Sequence, residues 1–206
     1  MTNRKEIIAE VEKYYTDKII THGASAKGVD WNSEETQNIR FYQLLKVINI
    51  QDFNLLDYGC GYGALLQFMH NSYPGLNYTG FDISSEMLTV AKGLYPSNTH
   101  VNWLNKLDAQ LFDYSLASGI FNVKMEHEKT SWGKYIEETL QEMNRISTKG
   151  FSFNMLTKYS DAPYMKDYLF YADPCFYFDY CKNNFSKNVA LLHDYDLFEF
   201  SILVKK

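Results

Sequence analysis

Cysteine is scarce in this chain. Its 206 residues include three, Cys60, Cys175 and Cys181, too few for a disulfide framework and with no pair at metal-site spacing. Positive charge is in deficit, with 20 Lys and Arg against 25 Asp and Glu. That balance argues against broad contact with a phosphate backbone, so nucleic acid is not an expected partner. Long apolar runs are missing. Nothing reaches the length of a membrane span, and the opening MTNRKEIIAEVEKYY lacks the apolar stretch of a signal peptide. A reduced, cytoplasmic protein with no membrane span is expected. Low-complexity tracts and internal repeats are absent, and only four prolines punctuate the chain. Aromatic residues, in contrast, are plentiful: 17 Tyr, 14 Phe and 3 Trp within a 46% hydrophobic composition. This is enough for a substantial core and for an aromatic pocket carrying hydroxyl groups. The length suits one domain over 1–206, with a helical cap over 1–50 and a ligand-binding core over 51–206.

Apolar periodicity predicts the elements. Ile8, Val11, Tyr15 and Ile19 recur at helical spacing, and a polar, mobile-looking loop over 21–33 follows. A second helix is expected to turn Ile39, Tyr42, Leu45 and Ile48 inward. From residue 53 short strands alternate with helices: FNLLDYG, YTGFDI, HVNWLN, FDYSLASGIF at 112–121, and GFSFNML. Ser84 or Ser85 should cap one helix, with Glu86 in its positive first turn. Another helix should run over 131–146. Such alternation predicts a mainly parallel sheet with helices on both faces. The last two strands are joined by a link too short for a parallel crossover, so the final strand should run antiparallel and complete a set of seven.

The strongest local signal is LLDYGCGYGALL at 55–66. Gly59, Gly61 and Gly63 lie between a strand and a helix, where they let the chain turn and let a ligand approach backbone N–H groups. Asp82 ends the next strand, placed to accept both hydroxyl hydrogens of a ribose. By spacing alone this is also a relaxed dinucleotide fingerprint. Asp57, ahead of the glycines, discriminates: a carboxylate there either orients the turn's N–H groups or faces a cationic ligand group, and it would repel a pyrophosphate.

LLDYGCGYG, YTGFDIS, FDYSLASGIF and LFEFSILVKK, in that order, resemble the motifs of the class I S-adenosylmethionine-dependent methyltransferases over about residues 50–206. The front piece HGASAKGVDWNSEETQNIRF is similar to the N-terminal segment of small-molecule or glycan-associated members. The resemblance implies a Rossmann-like fold, S-adenosylmethionine as cofactor and S-adenosylhomocysteine as product. It places the methionyl portion against Asp57, Gly59, Cys60 and Gly61, the ribose on Asp82, and adenine against Ile83 and Met87. Asp108 would meet the adenine amine, or backbone near Lys106 and Leu107 would do so instead. Ala117 and Ser118 would line the path beneath the sulfonium.

Outside these motifs, Arg40 either reaches the methionyl carboxylate or pairs with Glu34 or Glu35 on its own helix. Trp31, with His22 in the same loop, is a candidate lid or a hydrophobic latch. His193 and Tyr168 are the candidate catalytic groups, His193 as a base and Tyr168 within a set with Tyr159, Tyr164 and Tyr171 over the acceptor. Phe121, Asn122 and Asn154 should converge on the carboxyl edge of the sheet. The run Lys124, Glu126, His127, Glu128, Lys129 reads as a solvated loop, and no metal site is expected. The expected reaction is methyl transfer to a small-molecule acceptor, a sugar or secondary metabolite, at oxygen in preference to nitrogen. The chain has Ala117-Ser118-Gly119-Ile120 where enzymes that methylate exocyclic base amines carry Asn/Asp-Pro-Pro-Tyr/Phe. The competing classes are a nicotinamide oxidoreductase and a non-catalytic binding protein on the same fold, and homo-oligomers are open.

Overall fold

The computed structural model of the chain describes residues 4–31, 33–70, 72–96 and 100–206. Two helices come first, α1 (Arg4–His22) and α2 (Glu34–Leu45). Then follow β1 (Phe53–Tyr58), α3 (Ala64–Met69), β2 (Leu76–Phe81), α4 (Ser85–Leu94), β3 (Val101–Leu104), β4 (Phe112–Ala117), α5 (Lys129–Ile146), β5 (Ser147–Leu156), α6 (Pro174–Asn184), β6 (Asn188–Leu192) and β7 (Glu199–Lys205). The seven strands form one sheet in the order β3-β2-β1-β4-β5-β7-β6. Strands β1 to β5 pair in parallel, and β7 runs antiparallel to both of its neighbours. The strand order reverses between β1 and β4. At such a switch point the connections leave to opposite faces and open a crevice at the carboxyl ends of the strands.

Each strand of a sheet covered on both faces must be apolar on both sides. In β1, Leu55 belongs to a core with Phe41 and Leu44 of α2 and Leu65, Leu66 and Met69 of α3. Its neighbour Leu56 faces the opposite core, with Ile7 and Val11 of α1, Trp132, Ile136, Leu140 and Met143 of α5, and Cys181 of α6. Burying a side chain of this size is worth about 2 kcal/mol. The helix starts are polar and local: Ser33 accepts from Thr36 N, Ser84 from Met87 N, and Asp173 from Cys175 N ahead of α6, which has proline in its first turn.

Four sequence expectations need correction. Tyr42 is 60% exposed; Leu45 is buried as expected, but the rest of the inner stripe of α2 is Gln37, Arg40, Phe41, Gln43 and Leu44. The fourth strand ends at Ala117, because Gly119 takes φ +77 and turns the chain out of the sheet. Residues 23–31 of the loop expected to be mobile are tied down: Ser25 caps a 3-10 turn at Ala26–Val29, and Asp30 accepts from Lys18 Nζ at 2.6 Å and Tyr14 Oη at 2.8 Å. His127, expected in solvent, is buried with its ring stacked on Trp132 and Nε2 3.2 Å from Glu10 Oε2.

Candidate functional site

Parallel pairing aligns the strand ends. Asp57 lies opposite Gly80 of β2 and Leu116 of β4, so the residues just beyond each strand emerge together. Between β1 and α3 the chain turns through Gly59, Gly61 and Gly63, at φ +79, +54 and +87. These are left-handed conformations that a Cβ would strain. The turn is fastened by the carboxylate that follows β2: Asp82 Oδ2 accepts from Gly61 N at 2.8 Å and Oδ1 from Ser84 N at 2.9 Å. Asp82, and not Asp57, therefore orients the turn. Asp57 accepts instead from Tyr78 Oη, at 2.6 Å.

Both carboxyls are buried. Burial pushes Asp57 up to about 7, against the pull of the Tyr78 hydrogen bond and with a further push from Asp82. Asp82 is likewise pushed up by burial, to about 6, against the Ser84 and Gly61 amides. Neither has a cationic partner among the described residues, so each is a buried acid held short of full ionisation. Both line a cavity of about 430 Å³ at the carboxyl edge of the sheet, within the range of small-molecule sites. Its walls also contain Trp31, Arg40, Gly59, Cys60, Gly61, Ile83, Met87 and Ser118, and it runs on to Tyr164, Lys166, Tyr168, Leu169 and Tyr171. The Cys60 thiol is pushed well up by burial and stays protonated.

A methyltransferase domain family matches residues 55–150. A Mycobacterium tuberculosis protein provisionally named as a methyltransferase, Rv1506c, is 47% identical over 165 residues, covering 79% of this chain and 99% of its own length. The chain belongs to the class I S-adenosylmethionine-dependent methyltransferases. Solved structures agree on the fold. Human N-acetylserotonin methyltransferase, in complex with S-adenosylmethionine, superposes with TM-score 0.69 at 13% identity, covering 100% of this chain; this chain spans 60% of that enzyme's length. The Synechocystis PCC 6803 magnesium protoporphyrin IX methyltransferase with bound S-adenosylhomocysteine gives 0.67 at 11% identity, covering 99% of this chain and 100% of its own.

The methyltransferase's cavity fits that cofactor on its own chemistry. Among the described residues the two buried acids lack a cation and Arg40 Nη1 and Ser118 Oγ are buried polar atoms without a partner, while glycines open the backbone of the turn. Buried donors and acceptors are normally paired, so unmet ones in a cavity wall are where a polar ligand docks.

Three residues expected at the site are not brought to it. Asp108 is exposed and outside the cavity walls, because the short link from β3 to β4 carries it to the surface; the neighbouring positions 106 and 107 do not line the cavity either. Ala117 is wholly buried within β4, and the wall begins one residue later, at Ser118. His193 is exposed beyond β6, its ring 6.0 Å from Tyr159 and 6.2 Å from Phe200, away from the cavity. Tyr159 is also outside, whereas Tyr168 lines the cavity and accepts from Lys166 Nζ at 3.4 Å. Phe121 is core, and Asn122 reaches the wall.

Sequence reasoning missed Glu199 and Tyr78. Arg40 pairs with neither Glu34 nor Glu35: its Nε and Nη2 donate to Glu199 at 2.7 and 2.9 Å. The signal was an acid heading an otherwise apolar strand, FEFSILV, where burial demands a partner.

Proposed function

We propose that the protein transfers the methyl group of S-adenosylmethionine to an oxygen of a small-molecule acceptor, a sugar or secondary metabolite. The carrying observation is that Gly59, Gly61, Asp57 and Asp82 line one cavity whose walls also include Tyr164, Tyr168 and Tyr171. When bound, the cofactor supplies a methyl group already activated on a sulfonium. The protein's share is alignment and exclusion of water.

In this reading Asp82 accepts from the ribose hydroxyls with the lone pairs that Gly61 and Ser84 leave free, and Ile83 and Met87 bound the adenine. Asp57 faces the cationic end of the methionyl group and Arg40 Nη1 its carboxylate. Gly59, Cys60 and Gly61 give the backbone along which it lies, with Ser118 beneath the sulfonium and Trp31 closing the wall over Arg40. Tyr168, oriented by Lys166, presents a hydroxyl to the acceptor, and Tyr164 and Tyr171 flank it. Oxygen is favoured over nitrogen by the Ala117-Ser118-Gly119-Ile120 segment, which offers no side-chain carbonyl to orient an amine. Three unpaired cysteines suit a reduced, cytoplasmic setting, and no helix among the described residues is long and apolar enough to cross a membrane.

The test is calorimetric titration with S-adenosylhomocysteine and, separately, NADH. Binding of the first alone is expected, weakened at least tenfold in Asp82→Ala, which removes the ribose contact and the brace on the turn. Unchanged affinity in a folded Asp82→Ala protein would remove the ribose assignment.

A further inference from the structure

Arg40, Glu199, Asn154 and Gly119 form one continuous buried chain. Glu199, the first residue of β7, is 1% exposed and takes the Arg40 guanidinium by one edge, through Nε and Nη2. Its Oε2 also accepts from Asn154 Nδ2 at 2.5 Å, and Asn154 Oδ1 accepts from Gly119 N at 2.8 Å, which holds the turn after β4. The ring of Trp31 lies over the guanidinium face, 4.0 Å from Cζ. One edge and one face of the guanidinium are thus fixed, and Nη1 is the nitrogen left without a partner among the described residues.

A long, flexible arginine surrenders rotamer freedom when it is held in one pose. A bidentate carboxylate fork is the means by which a protein sets such a pose in advance. A purely structural ion pair has no need of a buried nitrogen left unmet on a residue that lines the cavity, since an unmet buried donor is destabilising. We infer that Glu199 is a positioning residue: it aims Arg40 so that Nη1 receives the carboxylate of the cofactor's amino-acid end, and through Asn154 it ties that end to the Gly119 turn. The inference rests on the cofactor reading above and adds a residue from β7, next to the edge strand of the sheet, 159 positions away in sequence.

Glu199→Gln tests it, because the amide keeps the shape but turns one of the two acceptors facing the guanidinium into a donor. Two ligands are titrated into the folded protein: S-adenosylhomocysteine, and 5′-methylthioadenosine, which has the same adenosyl thioether without the carboxylate and ammonium. Glu199→Gln is expected to weaken S-adenosylhomocysteine about tenfold while leaving 5′-methylthioadenosine within about twofold. Arg40→Lys should give the same selective loss, and the double variant little more than either single one. Circular dichroism checks folding, and Glu199→Asp, which keeps the charge on a shorter arm, replaces Glu199→Gln if that variant does not fold. Equal loss for both ligands, or retained S-adenosylhomocysteine affinity, overturns the positioning role. Wild-type protein that binds neither ligand overturns the cofactor reading, and this inference with it.

Discussion

Asp57 should make cofactor binding pH-dependent, with a sign and size set by its burial. Its carboxyl is raised from 3.8 to about 7, and the only hydrogen bond it accepts among the described residues comes from Tyr78 Oη. A cationic ligand group facing it favours the ionised form, so binding at lower pH must first expel a proton. The ionised fraction is about 3% at pH 5.5 and about 90% at pH 8, so Asp57 by itself should raise affinity for S-adenosylhomocysteine about 30-fold across that range, and Asp82 about fourfold more. Calorimetry at pH 6 in two buffers of different ionisation enthalpy counts the protons. Asp57 should release about 0.9, and Asp82, raised to about 6, about 0.5. In Asp57→Asn only the smaller release should remain, and the pH profile should shrink to the roughly fourfold rise that Asp82 leaves. The free protein carries the opposite trend. From about pH 4 to 7 the native state holds a proton that the unfolded chain has lost, so the Asp57 contribution is fully present below that window and is lost as pH rises through it. At pH 8 the lost contribution is about 4 kcal/mol, and Asp57→Asn should stabilise the unliganded protein by about 1–4 kcal/mol, the amide's unmet donors setting the lower end. Identical proton counts in the wild type and Asp57→Asn, with flat affinity between pH 5.5 and 8, would refute the reasoning.

Two further substitutions probe the walls. Gly119→Ala places a Cβ at φ +77 and 2.2 Å from Trp31 Cζ2, so it should cost about 1–3 kcal/mol of stability and shift the tryptophan emission as Trp31 is displaced; an unchanged denaturation midpoint would show that the turn has room to spare. His193→Ala removes an exposed ring outside the cavity and should leave both S-adenosylhomocysteine affinity and turnover within about twofold, as expected of surface changes. Loss of turnover with binding intact would return that histidine to the mechanism.

The sheet was legible because its determinants are local. The strand–glycine–helix–strand–Asp unit needs only neighbouring residues, and the antiparallel last strand followed from the length of one link. What failed is also instructive. The inner stripe of α2 was assigned from its bulkiest apolar residues, yet the helix turns Gln37 and Arg40 inward because a carboxylate from β7 waits there. Tyr42 is left on the surface as a consequence. Burial of His127 depends on Trp132 and Glu10, from two helices on either side of it, and no local window contains both.

The division of labour between the two acids was hidden for the same reason. Sequence placed Asp57 and Asp82 correctly at two strand ends, but their partners decide their tasks. Asp82 is bound to backbone amides on two sides and cannot leave the turn without loosening it. Asp57 touches a single tyrosine hydroxyl from the adjacent strand, which anchors one oxygen and does not neutralise the charge. A group so placed is destabilising in the empty protein and is relieved only by a cation arriving in the cavity. Binding and stability are therefore coupled at one side chain: any change that makes Asp57 comfortable in the unliganded state, such as the amide substitution or a lysine introduced nearby, should weaken the cofactor by removing its reason to be there.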